Sequence, residues 1–75
     1  MKELVEFIVK SLVDQTDQVV ITEIRNGRNV TLELHVAPED MGRVIGKGGR
    51  VANAIRSLLR VMAVKEGVRV TLDIV

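Results

Sequence analysis

Leu4, Val5, Ile8, Val9, Leu12 and Val13 recur at helical spacing between Lys2 and Asp14, with charged and polar residues between them. The pattern predicts an amphipathic helix over residues 2–14. The polar connector Gln15-Thr16-Asp17-Gln18 follows, and the period then changes from 3.6 to 2. Val19 to Arg25 is rich in β-branched residues and reads as a strand, and Val30 to Val36 alternates as a second one. Asn26-Gly27 between them suits a tight hairpin turn, since both residues tolerate positive φ. With Arg25 and Arg28 closing that turn, Glu23 faces Val30, Ile21 faces Leu32 and Val19 faces Leu34, while Thr22 and Thr31 meet on the other face.

Ala37-Pro38-Glu39-Asp40 begins a short second helix, with proline at the first helical position and two acids facing the positive end of the dipole. It ends at Gly46. A third helix runs from about Arg50 to Lys65, with Val51, Ile55, Leu58, Leu59 and Met62 on one stripe and Arg50, Asn53, Arg56, Ser57 and Arg60 opposite. Gly67 stops it, and Val68, Val70, Leu72 and Ile74 then alternate with polar residues as a third strand. The order αββααβ predicts an α+β fold. The hairpin makes strands one and two antiparallel, whereas two intervening helices suit parallel pairing of strands two and three. The expectation is a three-stranded mixed sheet with three helices on one face, floored by Val19, Ile21, Leu32, Leu34, Val70 and Leu72, and a wet opposite face.

The length of 75 residues makes one domain, 1–75, near the size where only about 60% of the unfolded chain's surface can be buried. Its 47% apolar and 28% charged residues describe a folded domain rather than a disordered tail. Cysteine is absent, which excludes disulfides and thiolate metal sites and fits a reducing compartment. No apolar run approaches membrane-spanning length, and Glu3 and Glu6 stand where a signal peptide would be basic, so the expected location is cytoplasmic, with no membrane partner. His35, the single histidine, belongs to the wet sheet face, and with no acid cluster beside it the sequence offers neither a catalytic centre nor a cofactor site. Phe7, the only aromatic, is expected in the core, which disfavours base-stacking platforms.

The net charge of +1 hides a polarised distribution. Met41 to Lys65 carries six cations and no acid, while five cations share the remaining sequence with all ten acids. A basic surface of this kind fits a polyanion. Inside it lies Val44-Ile45-Gly46-Lys47-Gly48-Gly49-Arg50-Val51, where three glycines separate two helical segments. Glycine lets the backbone turn tightly and approach a ligand, and the following helix start exposes N–H groups to an anion. Two nucleotide-binding motifs are excluded by spacing. Gly42 to Gly46 is too short for a P-loop and Gly48 follows Lys47 in place of Ser or Thr, while Val51 stands where a dinucleotide fingerprint needs its third glycine.

Val44 to Ile55 resembles the V-I-G-x-x-G-x-x-x-x-x-I signature of KH domains, with Gly46 and Gly49 as the fixed glycines of the GXXG loop and Ile55 as the apolar anchor behind it. The order αββααβ resembles the type II KH fold, and the resemblance covers the whole chain. It looks like the small stand-alone bacterial KH proteins of the KhpA type. The resemblance implies a single-stranded RNA-binding module, an RNA chaperone or post-transcriptional regulator, that clamps about four nucleotides with the loop against the sugar-phosphate backbone. The implied RNA-binding residues are Arg43, Ile45, Gly46, Lys47, Gly48, Gly49, Arg50 and Asn53. Family members work as homodimers or as heterodimers with a larger KH-containing protein. Val61 and Val64 lie off the core stripe of the third helix and are the expected dimer contact. Gly48 departs from the usual loop by leaving Lys47 as its only side chain. The reading from a different class is a protein-interaction module whose basic face docks an acidic partner.

Overall fold

The computed structural model describes all residues, 1–75. Helix α1 (Lys2–Leu12) is followed by strands β1 (Val20–Asn26) and β2 (Asn29–His35), helices α2 (Met41–Ile45) and α3 (Arg50–Glu66), and strand β3 (Arg69–Ile74). Single 3₁₀ turns occupy Thr16–Gln18, Pro38–Asp40 and Lys47–Gly49. The expected second helix is thus a proline-led 3₁₀ turn continued by a short α-helix. The sheet order is β1-β2-β3, antiparallel at the hairpin and parallel across the two-helix crossover.

The sheet's central strand supplies the centre of the core. Val30, Leu32 and Leu34 alternate on β2 with relative exposures of 1%, 0% and 0%, under Val5 and Val9 of α1, Val44 of α2, and Ile55 and Leu59 of α3. Each such aliphatic side chain contributes roughly 1.5–3 kcal/mol when fully buried. The opposite sheet face carries Thr22, Glu33 and His35 and has no covering layer. Val20 and Ile24 stand exposed among them.

Three sequence expectations are corrected. The hairpin is centred on Gly27-Arg28, so Asn26 pairs with Asn29, Ile21 with Leu34 and Glu23 with Leu32. Gly27 alone of the two has positive φ (62°), which matches a II′ turn rather than I′. Pairing moves by two positions, and because side chains alternate with period two, no residue changes face. On α3 the buried stripe is Ala52, Ile55, Leu59 and Ala63, whereas Leu58 is 51% exposed. Small alanines let the helix settle closer to the sheet than a leucine there would allow. Phe7 is 73% exposed, because the stripe that buries Val5 and Val9 points it away from the sheet.

The end of α1 is joined to the start of α2 through Asp40, the only buried polar residue. Its carboxylate accepts the backbone N–H of Asp14 at 3.2 Å and of Gln15 at 3.1 Å. Arg43 closes the cluster, 3.6 Å from Asp40 and 2.6 Å from Asp14. Hydrogen bonds to a charged acceptor are each worth about 1.5–3 kcal/mol, and removing the acceptor also strands two N–H groups. Asp40→Ala is therefore expected to cost about 3 kcal/mol in a urea unfolding titration. A loss below about 1 kcal/mol would show that packing alone holds this junction.

Candidate nucleic-acid interface

The chain reverses between α2 and α3 at Gly46, whose φ of 76° and ψ of 171° are essentially reserved for glycine. Space imposes the same requirement, since a Cβ there would lie 2.6 Å from Cγ2 of Val51 and 2.9 Å from its backbone nitrogen. Gly48 also has positive φ, 65°, yet nothing lies within 4 Å of where its Cβ would be. The first glycine is locked against α3, and the turn after it projects into open space. Lys47 is the sole side chain at that projecting tip and is exposed.

Helix α3 begins immediately beyond, with Arg50 exposed in a first turn that has no acid. The N–H of Arg50 already donates to the carbonyl of Lys47, and the positive end of the helix dipole and two cations meet at this spot. One turn further, Nδ2 of Asn53 is the nearest atom to a Cβ placed at Gly49, at 3.6 Å. The amide oxygen of Asn53 in turn accepts from Arg56 at 3.5 Å, and the other arm of that guanidinium donates to the carbonyl of Leu72 on β3 at 3.2 Å. Arg56 thus ties α3 to the free edge strand of the sheet.

A shallow groove opens between them, lined by Arg56, Leu59, Arg60, Val70, Thr71 and Leu72. Arg69 and Val75 donate their backbone N–H groups to Arg28 and Leu34 on the β2 side. Alternation then turns the backbone polar groups of Val70, Leu72 and Ile74 outward toward this groove. Apolar wall, strand-edge donors and acceptors, and cations at one end form a surface that can seat a base and hold its phosphate.

Of the expected site residues, Ile45, Gly46, Lys47, Gly48, Gly49, Arg50 and Asn53 form one continuous surface over the turn and the first turn of α3. Arg43 is arranged differently. Its guanidinium is engaged by Asp14, whose hydrogen bond and charge, with a smaller contribution from Asp40, raise its pKa above the usual arginine value. Val61 and Val64 sit on the last turns of α3, 60% and 76% exposed. The groove residues Val70, Thr71 and Leu72 are additions to the expected set. Only the finding that β3 is an edge beside α3 reveals them.

A three-stranded mixed sheet carrying two helices joined by a GXXG turn places the chain in the KH class. The model of the KhpA/KhpB KH domain family matches residues 2–74, and the chain belongs to that family. It is similar to the RNA-binding protein KhpA of Clostridium acetobutylicum, 53% identical over 75 residues that span all of both chains. The RNA-binding protein KhpA of Clostridium perfringens is 51% identical over the same full spans. That of Caldanaerobacter subterraneus subsp. tengcongensis is 52% identical, again over all of both chains.

The contrast between two glycines is measurable. Gly46→Ala is expected to cost about 2–3 kcal/mol of unfolding free energy, combining left-handed strain with the clash at Val51. Gly48→Ala should cost only about 1 kcal/mol, since strain acts there without crowding. Equal losses in urea titrations of the two variants would contradict a specific close approach at Gly46.

Proposed function

We propose that the protein binds single-stranded RNA as a non-enzymatic module, clamping the sugar-phosphate backbone with Gly46-Lys47-Gly48-Gly49 and laying bases along the groove between α3 and β3. The observation carrying this reading is the turn itself, a glycine loop fixed at one end and bearing one free lysine over a helix start without acids. The name of the relatives, RNA-binding protein, supports it. Phosphate contact at the loop and base contact along the strand edge together suit the roles of RNA chaperone or post-transcriptional regulator in the cytoplasm. Such a site requires no cofactor.

Lys47→Asp combined with Gly48→Asp tests the loop. Two carboxylates would repel phosphate, and neither position contacts the core. RNA binding by gel shift or titration should disappear while the circular dichroism spectrum is retained. Unchanged affinity in the folded variant would overturn the loop's assignment. Arg50→Ala should flatten the dependence of log affinity on log salt by roughly 0.7, the value for one phosphate of a single strand that is no longer neutralised. Arg43→Ala, its cation already held by Asp14, should leave that slope nearly unchanged. An acidic protein that binds the basic face while RNA does not would favour the partner-docking alternative.

One module reading about four nucleotides gains selectivity when joined to a second, because the second binding event then becomes intramolecular. Leu58, Val61 and Val64, all more than half exposed, offer an apolar patch on α3 for a homodimer or for a larger KH-containing protein. Val61→Glu with Val64→Glu is expected to give a folded monomer that binds RNA more weakly, read by light scattering and titration. A wild-type chain that is monomeric at high concentration and still binds RNA tightly would exclude the homodimer.

A further inference from the structure

The groove beside Arg56 is the first of three depressions that follow one another along the seam between α3 and β3. The second shares Arg60 with the first and adds Arg69. The third shares Arg69 with the second and adds Arg28. No acid lines any of the three. The line of cations therefore continues from the glycine turn to the opposite end of α3, a distance of about 25 Å for 17 residues at 1.5 Å each.

Among the arginines, charge pairing sets this line apart. Arg25 and Arg43 lie away from the seam, and each is matched by a carboxylate, at 3.8 Å from Glu23 and 2.6 Å from Asp14. Arg28, Arg56, Arg60 and Arg69 make no ion pair at all. The backbones of Arg28 and Arg69 are adjacent, since the N–H of Arg69 donates to the carbonyl of Arg28 at 2.8 Å, and both residues line the same depression. Arg28 in the hairpin turn and Arg69 at the start of β3 are both exposed and have no compensating acid, so their charges repel each other, and a bound anion removes that repulsion. Cations arranged in series fit a chain of regularly spaced negative charges better than a single compact anion, which needs donors that converge.

We propose that Arg28 and Arg69 form a second phosphate-binding site, at the end of the seam remote from the glycine turn, which holds the part of a single-stranded RNA that runs beyond the nucleotides clamped at the loop. Arg60 bridges the two sites. The inference rests on reading the glycine turn as an RNA clamp. It adds that the footprint is longer than one loop-bound segment and that its far end is held through charge without base recognition.

The test compares an RNA of about five nucleotides with one of about twelve, each titrated at several salt concentrations. Wild-type protein is expected to bind the longer RNA more tightly and with a steeper salt slope. Arg28→Gln with Arg69→Gln should reduce that slope for the longer RNA by roughly 1.4, at about 0.7 for each phosphate left without its cation, and should leave affinity for the shorter RNA unchanged. Arg25→Gln removes one positive charge away from the seam and should behave as wild type on both lengths. Equal slopes for wild type and the double variant, or equal losses in the Arg25 control, would overturn the second site while leaving the loop reading intact. Failure of wild-type protein to bind either RNA would overturn both. Thermal unfolding of each variant confirms that the exposed substitutions leave the fold in place.

Discussion

At Gly46 the turn's backbone passes so close to Val51 that no side chain fits between them. That approach fixes where α2 stops and the direction in which α3 leaves. Everything downstream inherits the direction, because α3 must lie along the sheet for Ile55 and Leu59 to reach Leu32 and Leu34. The same close approach leaves Lys47 and Gly48 with nothing to pack against, so they project. Tightness on one side of the turn and openness on the other are consequences of a single steric fact.

Asp40 does comparable work at the other end of α2. A helix of five residues cannot persist on its own hydrogen bonds, and α2 is held by what surrounds it. Val44 is fully buried in the core, Asp40 binds the backbone leaving α1, and Gly46 abuts α3. The short helix acts as a bracket between the amino-terminal helix and the long one.

Element order, the two sheet faces and the glycine turn are legible in the sequence, since each depends on local periodicity or on a residue type with one strong conformational role. What escapes it depends on comparison between segments. The hairpin's pairing can shift by two residues without moving any side chain across the sheet, so alternation alone does not place the turn. The phase of α3 is hidden because Ala52 and Ala63 contribute little to a hydrophobic pattern yet mark where the helix touches the sheet. Residue type alone would bury Phe7, and its position on α1 decides otherwise. Arg43 meets Asp14 only after folding brings α2 back to the end of α1, across the whole intervening hairpin. In the site, the loop and Asn53 can be read from adjacency, whereas the groove wall belongs to a strand that arrives last in the chain.

The hydrogen bond from Arg56 to the carbonyl of Leu72 has a consequence for solubility. An unpaired strand edge invites a strand from another molecule, and continued pairing of that kind leads to aggregation. On β3 one outward carbonyl is already taken by a guanidinium, and Arg60 stands beside the same edge. A neighbouring strand would have to displace the first cation and desolvate the second before it could pair. The arginines along this seam thus keep a bare sheet edge open to the surroundings without letting it become a template for fibres.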